Sequence, residues 1–434
     1  MLRLSSLLIF SGLGLGLGLG CARNSAPTAP PPPPMTPIAA AASDVTPTLA
    51  ASAEILVVGD IMMHGSVKRG ATRASVAGPD GQSTNFNGYG ALFSAVKPVI
   101  SEADLAFGNL EFPVAPDSHR GEASMVFNAP PEVLGALADA GFDVVSFANN
   151  HVYDQGVAGF VETIGRLESS PLDYLGAGPD CDAAMNGQMY DLNGIKVAFL
   201  AGSRLYNSYN EPGPGRGCSF RITDGTEAIA RAQAAKEAGA DLVLLSVHWG
   251  VEYKTTPHRY DVDIAHKLLE GGVDGIIGHH PHVLQPLEVY ETEDGRTTFV
   301  MYSLGNFISG QGYQYRHGLH HPNVGNTRDG GLLRFKVVRR DYGDGHSFVG
   351  FADLRFDPIW VIRQRDNPQT YPVVDRVEID RLTSAIAATD DAAVRHTLQE
   401  QLRIVTDRRL HAGAVVGESW LLPLDEPTPT PAAE

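Results

Sequence analysis

The chain has 434 residues and a formal charge of −17, a balance that disfavours nucleic acid and anionic membrane surfaces as partners. Its three cysteines, at 21, 181 and 218, are too few for a disulfide scaffold and lack zinc-finger spacing. The length allows one large domain or two ordinary ones.

Met1-Leu2-Arg3 supplies one positive charge, and an apolar Leu/Gly stretch runs to Gly20, just before Cys21. Residues 1–21 read as an export signal and not as a spanning helix, because alternating glycines weaken a helix. Two processing readings stay open. Cys21 is the lipidated first residue of a lipoprotein, with Gly18 and Leu19 departing from the usual lipobox, or Gly20-Cys21-Ala22 is an ordinary signal-peptidase site. Either way the mature chain leaves the cytoplasm, where an oxidising compartment permits Cys181 and Cys218 to pair. Spacing does not decide whether they do. Residues 22–53, with prolines at Pro30 to Pro34, read as an extended tether. That leaves a domain over 54–360, a C-terminal extension with helix over 361–426, and a disordered tail over 427–434.

Within the domain, short apolar runs repeatedly end in residues suited to metal binding or proton transfer. Ile55-Leu56-Val57-Val58 leads to Gly59-Asp60, Asp104-Leu105-Ala106-Phe107 to Asn109 and Glu111, and Val144 to Ala148 to Asn149-Asn150-His151. Leu242 to Val247 leads to His248, Gly275-Ile276-Ile277 to His279-His280-Pro281-His282, and Phe299 to Ser303 to Asn306. β-Branched runs of this length read as buried strands. Helical patterns lie between them: Pro131 to Leu137, a helix after Asp154 through Phe160, Ile164 and Leu167, Thr223 to Ala238, and Asp261 to Glu270. Alternation of this kind predicts α/β layering. A half-buried strand is expected over Leu332 to Val338, and a charged helical stretch from Val374 to about Arg408.

Ligands in open α/β sheets sit beyond the carboxyl ends of the strands, so one sheet face is expected to gather these acids, amides and imidazoles. A mixed oxygen and imidazole set suits Mn, Fe or Zn better than Ca. Taken alone, Gly59-Asp60 is a turn, Glu111 a loop acid and His248 a core histidine. His279, His280 and His282 within four residues have little such explanation, and His-x-His on an extended segment points both rings one way. Trp249, with Tyr302 and Asn306, is expected to wall a pocket, and Glu252 to stand behind the ligands. His64 fits the loop after Asp60 or the surface equally. His317, His320 and His321 read as rim residues, and His258 and His266 as residues without a role.

These segments, in this order, resemble the CapA family of poly-γ-glutamate capsule synthesis proteins. The resemblance rests on Gly59-Asp60-Ile61-Met62, Gly108-Asn109-Leu110-Glu111, Asn149-Asn150-His151-Val152-Tyr153-Asp154, His248-Trp249-Gly250-Val251-Glu252, Gly278 to Pro286 and Ser303 to Phe307. It runs from about Glu54 to Val338. It implies a calcineurin-like metallophosphoesterase fold, a four-layer αββα sandwich holding two divalent metals. It also implies Asp60, Glu111, Asn150, His248, His280 and His282 as ligands, with His279 as a substitute, and a catalytic group of His151, Asp154 and Asn149 in which His151 is the acid. Two positions depart from the metallophosphoesterase pattern: Met62 stands where His is usual, and Asn109 with Glu111 where a bridging Asp is usual.

The function implied is hydrolysis, at the cell surface, of an anionic polymer such as poly-γ-glutamate or of a phosphoester. The alternative is a non-catalytic subunit that binds polymer or the membrane components of capsule synthesis. A negative protein handling a polyanion needs local cations, for which Arg204, Lys254, Arg259 and Arg316 are candidates among otherwise ordinary surface positions.

Overall fold

The computed structural model describes residues 46–78, 81–121, 125–363 and 369–426. The expected leader with Cys21, most of the tether and the tail over 427–434 lie outside the described residues.

In chain order, β1 (Thr48–Ile61) is followed by α1 (Gly65–Ala74), α2 (Tyr89–Phe93), α3 (Lys97–Ile100), β2 (Leu105–Leu110), α4 (Glu132–Asp139), β3 (Val144–Ser146) and α5 (Gly156–Glu168). Next come β4 (Asp173–Leu175), β5 (Ala177–Gly178), α6 (Cys181–Asn186), β6 (Gln188–Leu192), β7 (Ile195–Ser203), β8 (Cys218–Ser219), α7 (Thr226–Glu237), β9 (Leu242–His248) and α8 (Arg259–Glu270). The chain continues through β10 (Gly275–His279), β11 (Leu287–Glu291), β12 (Thr297–Met301), β13 (Asn306–Ile308), β14 (Asp329–Asp341), β15 (Ser347–Arg363), β16 (Thr370–Val374), α9 (Asp375–Ala388) and α10 (Ala392–Val416).

The strands form two mixed sheets and a separate antiparallel pair, β5 with β8. The first runs β16-β15-β14-β1-β2-β3-β4, with β13 alongside β1, and the second runs β11-β12-β10-β9-β7-β6. The centre of the second is parallel, with antiparallel strands at both edges.

Side chains alternate across a strand, and this alternation builds the layers. Leu56 and Val58 of β1 join Phe93, Leu134, Leu137 and Phe160 in a core under the first group of helices. Ile55 and Val57 face the other way, meeting Phe107, Phe199, Leu244, Ile277, Phe299 and Phe335 between the sheets. Val243 and Leu245 point outward from β9 and pack on Ala228, Ala232, Ile264 and Leu268 of α7 and α8. The result is a four-layer αββα sandwich. Each fully buried Leu, Ile or Phe contributes about 1.5–3 kcal/mol through the water it no longer meets.

Several boundaries differ from the sequence-based ones. Thr48 to Ala53, placed in the tether, belong to β1 and pair with Asp341 to Val337. The helix expected from Thr223 begins at Thr226, because Gly225 sits in the left-handed region at φ 84°. The extension over 361–426 is not an appendage. β15 continues to Arg363, and β16 forms the edge of the first sheet. Its charged helices are partly internal: Arg376 and Arg408 are buried. Arg376 Nε donates to Asp357 at 2.6 Å. Arg408 donates to Asp329, to the Pro322 carbonyl at 2.9 Å and to Asn326 at 3.2 Å. Those pairings tie α10 to the segment that leads into β14.

Candidate metal centre

The six strand ends converge, but from both sheets and not from one. Asp60 lies in the last two residues of β1, and Glu111 and the Asn149 to His151 turn follow β2 and β3 of the first sheet. His248 and His279 end β9 and β10 of the second, and His280 to His282 follow. The β1/β13 pairing sets Asp60 opposite Asn306, and the β9/β10 pairing sets His248 opposite His279.

Beyond β10 the backbone is not extended. His280 and His282 have φ of 97° and 57°, a costly conformation for residues with a Cβ that recurs at functional sites. These reversals, and not strand alternation, bring both rings inward. The rings lie 5.7 Å apart, and His280 lies 4.8 Å from the His248 ring.

Asp60, Glu111, His248, His280 and His282 are all buried. Ligand atoms of Asp60, Glu111 and His248 lie within 4.8 Å of one another, as do those of Glu111, His280 and His282. Glu111 is common to both sets. Glu111 Oε1, His280 Nδ1 and His282 Nε2 are buried without a hydrogen-bond partner among the described residues. Buried polar atoms are seldom left so, and a cation satisfies all three at once. His282 Nδ1 lies 3.0 Å from Asp60 and 3.1 Å from the Asn306 oxygen, which assigns the proton to Nδ1 and leaves the Nε2 lone pair free. Ligating histidines are commonly oriented in this way. The donor set therefore fits divalent metal.

The supporting residues separate into those that orient and those that do not reach the site. Asn109 Nδ2 donates to Asp60 at 2.8 Å and approaches Glu111 and His248 at 3.4 Å each. It braces the acids, while Glu111 stands between the two sets. Asn150 Oδ1 meets His248 Nε2 at 2.9 Å. The Asn149 amide ties the turn to β2: it donates to Leu110 O at 2.9 Å and to Asn109 Oδ1 at 3.3 Å, and accepts from His151 N at 3.1 Å. His151 Nδ1 lies 2.8 Å from Asp154, which also accepts from Phe127 N at 2.6 Å. His279 Nδ1 approaches Asp60 at 3.3 Å, but neither ring nitrogen is hydrogen-bonded among the described residues. Glu252 acts on Glu111 through charge. Trp249 and Tyr302 do not wall the pocket. Trp249 lies in the core under α7 and α8, stacked on Tyr302 and donating to its carbonyl at 3.0 Å.

Two residues that sequence reasoning did not name, Asn207 and Phe127, stand against His151, and His64 packs behind Phe127. Asn207 accepts from Asn150 Nδ2 at 3.2 Å and lies 3.5 Å from His151 Nδ1. It follows β7, whose apolar run ending in Ser203-Arg204 repeats the pattern of the other six. The Phe127 ring packs on His151 at 4.5 Å, and His64 on Phe127 at 4.9 Å. His317, His320 and His321 remain outside; His317 meets Asp407 at 2.8 Å.

Burial opposes charge throughout the site. It raises Glu111 well above the usual carboxylate range, helped by Asp60 and Glu252. Burial also works against the Asp60 carboxylate, yet the contacts from His279 and His282 outweigh it and hold Asp60 well below that range. Burial and then His280 lower His248 well below its ordinary value. Burial and then His282 push His280 down to about 3, and burial, then His282, His151 and Arg363, push His64 down to about 4.

A depressed histidine contributes stability above the unfolded value of 6.5 and loses it as pH falls through the folded value. Glu111, raised, acts oppositely, losing stability as pH rises past 4.5. His64, His248 and His280 therefore oppose Glu111 within the site. In the metal-free protein, His280→Gln is expected to lessen the fall in melting temperature between pH 6.5 and pH 4.5 relative to the unsubstituted chain, and an unchanged slope by calorimetry contradicts the burial assigned to that ring.

The family model described as bacterial capsule synthesis protein PGA_cap matches residues 54–311. The capsule biosynthesis protein CapA of Bacillus anthracis is 31% identical over 298 residues, 66% of this chain and 64% of that one. The chain thus spans slightly less than two thirds of that relative. The PGA biosynthesis protein CapA of Bacillus subtilis strain 168 is 31% identical over 294 residues, 66% of this chain and 68% of that one. Among solved structures, the calcineurin-like phosphoesterase YfkN from Bacillus subtilis aligns at TM-score 0.35 with 13% identity, over 83% of this chain and 98% of that one. The sulfate thiohydrolase SoxB from Thermus thermophilus aligns at TM-score 0.38 with 13% identity, over 86% and 62%. Those structural likenesses are weak, and the fold stands on this chain's own strand order and layers. With more than half of its residues matched by the family model, the chain belongs to the bacterial capsule synthesis protein PGA_cap family.

Proposed function

We propose that this chain is a metal-dependent hydrolase of the bacterial cell surface, acting on poly-γ-glutamate or a similar anionic polymer, or on a phosphoester. The observation that carries the reading is Glu111, buried and raised above its ordinary pKa, between two sets of converging donor atoms. A pair of Mn, Fe or Zn ions held by Asp60, Glu111 and His248 on one side and by Glu111, His280 and His282 on the other would polarise the scissile group and neutralise the charge developing on it.

The remaining work falls to the chain itself. Asp154 fixes the proton on His151 Nδ1 and so commits Nε2 to the leaving group. Phe127 packs against the ring and limits water there. Asn207 holds the Asn150 amide so that its oxygen faces His248.

Export belongs to the same proposal, with Cys21 as lipid anchor. The Cys181–Cys218 disulfide supports it, and release of a Cys21→Ser variant from the membrane fraction is its check. Among the described residues no helix is long and apolar enough to cross a membrane.

The test is His151→Ala on metal-loaded protein, assayed with γ-glutamyl and phosphodiester substrates. Turnover is expected to fall by about 10²–10⁴-fold with metal content unchanged. Equal turnover removes His151 from the chemistry. A wild-type chain that takes up no Mn, Fe or Zn and hydrolyses neither substrate favours the accessory subunit instead.

A further inference from the structure

Two segments that carry residues of the metal centre also line a cavity of about 210 Å³, together with a third segment, and Arg204, Val251, His258, Tyr260 and Asp261 stand on its walls. We infer that it is a subsite for a single α-amino-acid unit, a carbon carrying both a carboxylate and an N–H, as recurs along a γ-linked glutamate chain. The inference rests on the polymer reading above.

Position is the first argument. Arg204 directly follows β7, and its backbone N–H donates to the His248 carbonyl at 2.9 Å. Gly250 and Val251 lie two and three residues beyond His248, and the same loop that carries Arg204 and Leu205 into the cavity carries Asn207 to His151. One wall therefore continues from a candidate ligand, and the other from the residues that hold the proton donor. Two of the three lining segments are thus the ones that carry His248 and Asn207.

Size is the second. The cavity is far larger than the ~10–15 Å³ that one water needs. It suits one residue-sized group and falls below the ~300 Å³ at which drug-sized pockets begin.

Chemistry is the third. Arg204 Nη1 donates to Asp261 Oδ1 at 2.9 Å, and its guanidinium lies 4.5 Å above the Tyr260 ring, so the fork is held in place. The Arg204 side chain keeps 15% of its surface exposed and lines the cavity. A guanidinium held on one edge by Asp261 and presented on another matches a carboxylate. The neighbouring Asp261 carboxylate accepts an N–H from the same carbon. A purely basic patch would take any polyanion. This opposed pair asks for both groups together, which also explains how a chain of charge −17 engages an anionic substrate without a broad basic face.

The test is calorimetric titration of the full metal-loaded chain with tri-γ-glutamate and with glutarate, a dicarboxylate lacking the N–H. Wild type is expected to bind the trimer at least about tenfold tighter than glutarate. Arg204→Gln and Arg204→Lys should each weaken the trimer about tenfold or more, the lysine failing because it keeps charge without the fork. Asp261→Asn should narrow the gap between trimer and glutarate. Melting curves establish folding, and Arg204→Lys serves if Arg204→Gln does not fold. Unchanged trimer affinity in a folded Arg204 variant, or glutarate bound as tightly as trimer, overturns the subsite. Elemental analysis separates the two readings. A chain that binds trimer through Arg204 but takes no metal defeats the hydrolase and keeps the subsite, whereas a metal-replete chain indifferent to Arg204 defeats the subsite alone.

Discussion

Glu111→Ala is expected to strip metal from both halves of the centre at once, whereas His248→Ala and His280→Ala each weaken one half. Glu111 is the residue common to both donor sets, so its loss leaves two donors on each side. Elemental analysis after identical loading should show both ions depleted, and turnover should fall by at least about 100-fold, the upper range for loss of a mere supporting residue. The energetics run in an unusual direction. Burial favours the protonated form of Glu111 in the metal-free protein, so Glu111→Gln, neutral and of the same shape, should leave the metal-free melting temperature unchanged or raise it. The stabilisation that metal adds, about 2.7 kcal/mol at a hundred times its dissociation constant, should vanish in the same variant. Retention of a full metal complement by Glu111→Ala would falsify the shared-ligand arrangement.

The second large effect concerns the disulfide. Cys181 and Cys218 are bonded, 37 residues apart, with Cα atoms 5.0 Å from each other. The bridge closes a loop containing β6, β7 and the Arg204 to Asn207 segment. A loop of this length corresponds to about 4 kcal/mol of denatured-chain entropy. Local structure holds the same ends, since β5 pairs with β8 and Ser219 Oγ lies 3.0 Å from the Tyr206 hydroxyl, so the bond is not their sole restraint. Replacing both cysteines with serine is expected to cost about 2–4 kcal/mol, read from the denaturant midpoint. An identical midpoint with and without reductant would show that the loop is already closed by its own contacts.

Much of the site could be read without coordinates because its signals are local. A strand announces itself by a β-branched run, and the residue just past its end by a switch to Gly, Asn, Asp or His. All six runs became strands, and ligand atoms of Asp60, Glu111, His248, His280 and His282 lie close together, though from two sheets where one had been expected. Asn207 carried the same signal after β7, and only the absence of an acid or histidine there hid it. Trp249 shows the opposite failure. It follows a site residue directly, but side chains alternate, so the position after His248 turns to the helix-side core.

The sequence by itself determined which segments become strands and which residues stand at their ends, since both depend on neighbours two to four positions away. Only the tertiary structure decided that these ends belong to two sheets. It also decided that Glu111 falls between two donor sets, that His280 and His282 turn through left-handed backbone, and that the C-terminal strands and arginines complete the first sheet. Each of those outcomes depends on contacts across long stretches of chain, such as Asp60 opposite Asn306. Contacts of that range come from how whole layers pack, and no local periodicity encodes them.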